Sequence, residues 1–460
     1  MSAKWLAIAF VCLLAALGGS AAFAAEPSTT IESPPVVGSP PDEETVYTPI
    51  PNPDPERSIL VLNVGWGGVG PSYNWAPVDQ TLLATAVANL SGPVNAWFRG
   101  AAPQGAFRDW LVHSGGSFWI SGPTLTSGKE LSRCVRSEAP DFARSLTAHA
   151  GKEASRVGYD LSRFRYVVYA YSGEFCGADG LVSGNGIVIG NRAEPYTLVH
   201  ELGHQLGLGH AETLECLDDA GVKPVPLNDD HCTTEEYADT TDVMGRSFIG
   251  GGFNAPHAFR LGWLRNQFYD LVDGVYTRTV QLRPFGAAPA EGSMRAVRLR
   301  DGGQTLWLEY RQRVGVDMGM EPGLYVHREK PTNPAASQLL DMSPGQWGDE
   351  NMAVGQTWIN TLGAMQVTLN SATPSGATVT IARTPKAVTV PDLRGLTAAS
   401  IRSYLDPVNL VYGGQSGTVE DRTCTLINRV ASQSPSAGSK AIEGSSVTVK
   451  MGVRPRTPCL

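Results

Sequence analysis

Hydrophobic and polar positions follow different rhythms along this chain, and each rhythm predicts a different structure. The first is a solid apolar run, Trp5 to Leu17, behind Lys4 and ahead of Ala22-Phe23-Ala24, a small-x-small pattern at which exported leaders are cut. Residues 1–24 therefore predict a signal peptide and a secreted or extracellular protein, with periplasm or cell envelope as variants of that location. The run is too short to span a bilayer, and no later stretch offers a transmembrane anchor. Between 25 and 57 the rhythm lapses. Pro34-Pro35, Pro40-Pro41 and the prolines from Pro49 to Pro55 forbid regular helix or central strand, which predicts a linker or a short propeptide.

From Ser58 to Val64 a continuous apolar run predicts a buried strand, closed by Gly65-Trp66-Gly67-Gly68. Helical spacing follows over Val78–Leu90 and Ala143–Ala154, with strands over Gly116–Ile120, Phe164–Tyr171 and Gly186–Gly190. This alternation predicts an α/β (α+β) sandwich over 58–266. Beyond Phe268 the helical spacing vanishes. Short alternating strands at Tyr276–Leu282, Ser293–Leu299, Thr305–Tyr310, Gly323–His327, Met365–Leu369 and Ala377–Ile381 predict an all-β, sandwich-like accessory module over 267–384. Glu309 and His327 interrupt these strands with polar side chains, for which packing is the simpler expectation. A small α+β unit over 388–453 completes the chain.

The formal net charge is −8, with lysine and arginine scattered, so the chain lacks the basic footprint of a nucleic-acid binder. Of seven cysteines, Cys12 lies in the leader. The remaining six, an even number in an exported chain, predict disulfides. Neighbourhood favours Cys134 with Cys176, Cys216 with Cys232, and Cys424 with Cys459. Cysteine zinc ligation is disfavoured because no CxxC spacing occurs.

The stretch His200-Glu201-Leu202-Gly203-His204-Gln205-Leu206-Gly207-Leu208-Gly209-His210 carries the candidate chemistry. Four residues apart on a helix, His200 and His204 share a face and can aim at one metal ion. Glu201 follows the first ligand and can act as general base and acid on a water in the open position of a zinc ion. A continued helix would carry His210 onto another face, so the chain must turn; Gly207 can adopt positive φ, and Gly209 leaves the next residue free to swing back. A bare HExxH often marks only an exposed helical face, whereas the extended HExxHxxGxxH is far more specific for Zn2+.

Downstream lies Thr240-Thr241-Asp242-Val243-Met244-Gly245-Arg246-Ser247. A zinc signature followed by such a turn resembles the metzincin clan of zinc metallopeptidases. The resemblance implies that Met244 is the structural Met-turn residue, an apolar floor beneath the imidazoles, although a lone methionine is more commonly ordinary core. Thr197-Leu198-Val199, Ala211, Phe253-Asn254-Ala255-Pro256-His257 and Leu261-Gly262-Trp263 are similar to the gametolysin-like family, over about half the chain. With no tyrosine after Met244 until Tyr269, the resemblance implies three histidines and one water. It also implies a polypeptide substrate, drawn from extracellular or cell-wall proteins, with the strand near Ser183–Gly190 as the rim along which substrate pairs. Residues 25–57 contain no cysteine, so latency by a propeptide thiol is not expected.

Val390-Pro391-Asp392-Leu393-Arg394-Gly395-Leu396-Thr397, a helix over Ala398–Leu405, and Gln433-Ser434-Pro435 resemble a single PASTA domain over 388–453. That resemblance implies peptidoglycan or glycan as a partner, against an accessory fold without a ligand. The expectation is a secreted zinc metalloendopeptidase. Two alternatives stay open: a wall-binding adhesin on a peptidase scaffold, and a zinc hydrolase of peptidoglycan peptide crosslinks.

Overall fold

The computed structural model describes residues 54–459 except 68–77, 122–123, 130–133, 173–175, 177, 191–192, 217–231, 246–250, 273–274, 289–291, 302–303, 344–349, 361–364, 385, 409 and 457. The expected leader, residues 1–24, and the proline-rich segment up to residue 53 lie outside the described residues, as do Gly68, Arg246 and Ser247.

The first layers are built from β1 (Ser58–Gly67), α1 (Gln80–Asn89), α2 (Asn95–Ala101), β2 (Leu111–Ser121), α3 (Ala139–Arg156), β3 (Tyr166–Tyr171), β4 (Gly180–Ser183), β5 (Gly186–Gly190) and α4 (Pro195–Gln205). The five strands form one sheet in the order β2-β1-β3-β5-β4, parallel except for β4. Strand β1 is apolar at every second position on both sides because both faces are covered. Ile59 and Val61 pack with α1, α2 and α4, while Leu60, Leu62 and Val64 pack against Phe142, Leu146 and Ala150 of α3. The expected strands and helices of this region are all present. Helix α2 and the π-turn Leu90–Val94 were not anticipated, since Gly92 and Pro93 break the apolar spacing there.

The edge of this sheet differs from expectation. Residues 186–190 are paired on both sides, with β3 and β4, and the outer edge is β4. Gly184 at φ +57° closes a two-residue hairpin that folds 180–183 back over the strand that a local apolar run made look terminal.

The chain continues through β6 (Ala211–Cys216), β7 (Cys232–Glu235), α5 (Ala255–Arg260), β8 (Phe268–Leu271), β9 (Tyr276–Leu282), β10 (Ala296–Asp301), β11 (Gln304–Arg311), β12 (Gly323–Glu329), β13 (Ser337–Leu340), β14 (Thr357–Asn360), β15 (Met365–Thr373) and β16 (Gly376–Arg383). A seven-stranded sheet, β7-β6-β13-β12-β11-β10-β8, stacks on a four-stranded one, β14-β15-β16-β9. Their shared core holds Leu306, Leu308, Val326, Val367 and Ile381, so the sandwich pattern is as expected.

The boundary expected at 266/267 falls inside the larger sheet, because β6 and β7 precede it in sequence yet pair into it, β6 running parallel to β13. The opposite face of that sheet is buried too. Trp307 and Ala296 join the core shared by α4, α5 and Met244. Alternation on β11 and β12 therefore sends Glu309, Arg311 and His327, all fully buried, toward the layer that carries the histidines.

The last unit comprises β17 (Ala387–Thr389), α6 (Ile401–Leu405), β18 (Val411–Glu420), β19 (Val430–Ser434), β20 (Lys440–Ile442) and β21 (Ser446–Val453). It has its own core of Val390, Leu393, Ile401, Leu405, Val430, Val447 and Val449. Disulfides join Cys134 to Cys176, Cys216 to Cys232 and Cys424 to Cys459, as neighbourhood suggested. Among the described residues no helix is long and apolar enough to cross a membrane.

Candidate metal centre

Helix α4 begins with Pro195 at its first turn, where the missing N–H costs no intrahelical bond. It ends in a Schellman motif. Leu208 N–H donates to Gly203 O at 3.0 Å and Gly207 N–H to His204 O at 2.9 Å, with Gly207 at φ +87°. Gly207 thus turns the chain as its position predicted. Gly209 has a different reason: its φ is not positive, but a Cβ there would sit 3.0–3.1 Å from Ala336, so a larger residue would press the segment off residues 335–337.

The turn brings His210 beside His200 and His204, with one ring nitrogen from each within 4.8 Å of the others. Every Nδ1 is already engaged. His200 donates to Val243 O (2.8 Å), His204 to Leu208 O (2.9 Å) and His210 to Glu236 Oε1 (2.8 Å). Each Nε2 is then left with a lone pair, and those of His204 and His210 face each other at 3.1 Å. Such a pair is repulsive unless a proton or a cation lies between. Burial pushes the pKa of His200 down to about 3 and of His204 to about 4, and lowers that of His210 despite the neighbouring Glu236. The proton is thus disfavoured and the donor set fits a cation such as zinc, with backbone carbonyls and Glu236 orienting the rings from behind.

Glu201 is 4% exposed, its Oε2 has no partner among the described residues, and burial raises its pKa to about 8. A cation held by the histidines would favour the carboxylate form. Gly180 of β4 lies directly over this side chain, where a Cβ would come 2.6 Å from Oε1.

Met244 is fully buried, and its sulfur packs on Gly203, the residue before His204 on α4. Its turn is held by Asp242, whose Oδ1 accepts from Met244 N–H at 2.7 Å. Beside His210, Gly209 N–H donates to Ala335 O (2.7 Å), Ser337 N–H donates to His210 O (3.2 Å), and Ala211 N–H donates to Met244 O (3.1 Å). The third histidine is therefore held by main-chain bonds to β13 and the turn before it, and its following residue to the Met244 turn.

A cleft of about 700 Å³ opens over the histidines, walled by Asp179–Val182 on one side and Glu236, Tyr237 and Val243 on the other. Tyr237 went unnoticed in the sequence because it precedes the methionine turn. It has φ +61°, its ring centroid lies 4.0 Å from that of His210, and burial raises its pKa. Tyr269, on β8, does not line the cleft. Glu309 and His327 lie behind the centre: His327 Nε2 is 3.2 Å from Asp239 Oδ2 and 3.0 Å from Thr241 Oγ1, while Glu309 accepts from Ala255 N–H and Arg311 Nε.

Comparison with known families gives one match: residues 388–452 fit the PASTA domain. No curated protein matches the chain. The PASTA domain, the three disulfides and a mixed α/β fold dominated by strands are thus established features, and the disulfides are consistent with an extracellular protein.

Proposed function

We propose that the protein is a secreted zinc-dependent endopeptidase of metzincin type, closest to the gametolysin-like family. The observation that carries this reading is the convergence of three bare Nε2 atoms, each ring fixed by its Nδ1 bond, beside the buried carboxylate of Glu201. His200, His204 and His210 would hold the ion. When bound, zinc would supply a Lewis acid that polarises the scissile carbonyl and acidifies water.

The chain's own residues do the rest. Among the described residues strand β4 has no partner on its outer side, so its backbone groups can pair with an extended substrate segment lying in the cleft. Glu201, beneath Gly180 of that strand, takes a proton from the attacking water and returns it to the departing amine.

Digestion of a peptide library by the full chain, abolished by a chelator and restored by zinc, tests the reading. Absence of cleavage with zinc bound would remove it. The PASTA domain favours a second substrate class, since such domains bind peptidoglycan-type ligands. Hydrolysis of peptide crosslinks in peptidoglycan is that alternative. Release of crosslink fragments from purified sacculi, with intact polypeptides left uncut, would select it.

A further inference from the structure

We propose that His257 is a positioning residue of the metal centre, clamping the Met244 turn to the β-sheet segment that seats His210. This inference rests on the zinc reading above. His257 lies on α5 and is 1% exposed. Its Nδ1 is 2.8 Å from Asp242 Oδ2 and its Nε2 is 3.1 Å from Ala335 O. Both partners are acceptors, so each ring nitrogen faces an oxygen at hydrogen-bond distance.

Each bond reaches a different ligand. Asp242 caps Met244 N–H with its other oxygen and immediately precedes Val243, whose carbonyl holds His200 Nδ1 at 2.8 Å. Ala335 O also accepts from Gly209 N–H, one residue before His210. One buried ring therefore fixes the spacing between the support of His200, at Asp242 and Val243, and the support of His210, at Ala335, which are far apart in the chain. Asn254 backs the same clamp: its side chain accepts from His257 N–H at 3.1 Å and donates to Ser337 Oγ at 2.7 Å. A histidine kept only to fill the core would need neither pair of bonds aligned on the ligand supports.

The spacing matters because ligands held off their mutual geometry bind metal more weakly; loss of an outer partner commonly costs about 10- to 100-fold in affinity. In the full chain, His257→Leu is expected to weaken zinc binding by about that factor and to alter the visible absorption of the cobalt-substituted protein, which reads ligand geometry directly. Val297→Ala, in the core on the far side of the same sheet, serves as the control for plain destabilisation: it should lower the melting temperature and leave both readouts at wild-type values. His257→Gln, which keeps an amide donor, should fall between His257→Leu and wild type, and it answers the question if the leucine variant does not fold.

Wild-type affinity and an unchanged cobalt spectrum in folded His257 variants would overturn the positioning role and leave the zinc site standing. Wild-type protein that binds neither zinc nor cobalt would overturn the zinc reading, and this inference with it.

Discussion

Glu201 is buried beside three neutral imidazoles, with one carboxylate oxygen free of partners among the described residues. Glu201→Gln preserves its shape and removes only the ability to accept a proton. Zinc content should stay at the wild-type level while peptide turnover falls about 100- to 10,000-fold; wild-type cleavage would place the base elsewhere. A second residue-scale prediction concerns His327. Burial lowers its pKa, but Glu309 and Asp239 outweigh that effect and the net shift is upward. The stabilisation is therefore complete below the unfolded value of 6.5 and is lost as pH rises through the folded value. The melting temperature should decline with pH above that point, and His327→Asn should show a shallower decline; parallel curves would contradict the assignment. Legibility at this scale followed spacing. The histidines, Glu201 and Met244 sit in short motifs, whereas Glu236, Tyr237 and the carbonyl of Ala335 act through contacts that no local period encodes.

At the scale of elements, apolar rhythm located most strands and helices because burial on one or two faces imposes period two, period 3.6 or a solid run. It misassigned the sheet edge, since β4 is only four residues long with a single apolar pair, Leu181-Val182, too short to set a period, and it missed that β6 belongs to the second sheet, because parallel pairing with β13 depends on residues more than a hundred positions away. Strands β6 and β7 meet at the directly paired Cys216 and Cys232. The connecting residues 217–231 lie outside the described residues, but closing a loop of about 15 residues is worth about 3 kcal/mol in the chain-entropy model. Replacing both cysteines with serine should lower the melting temperature and weaken zinc retention together, because β6 begins immediately after His210. Unchanged zinc affinity in a clearly destabilised variant would mean that the disulfide does not reach the centre.

For the whole molecule, the expected division into a catalytic domain and an accessory sandwich gives way to layers that meet at the three histidines. Strand β13 of the larger sheet and the turn before it hold the segment at His210 through Ser337 and Ala335, whereas the PASTA domain has a separate core. Ending the chain at Thr384 should therefore leave cleavage of small soluble peptides within about twofold of wild type, measured as kcat/KM; loss of cleavage in a folded truncation would show that residues 388–452 help to form the site. The central claim is that His200, His204 and His210 share one zinc ion, and X-ray absorption at the zinc edge of the full chain tests it most directly. The account predicts one zinc per chain with three imidazole nitrogens at about 2.0–2.1 Å and a light oxygen atom completing the shell; sulfur ligation, or a shell without three imidazoles, would contradict it.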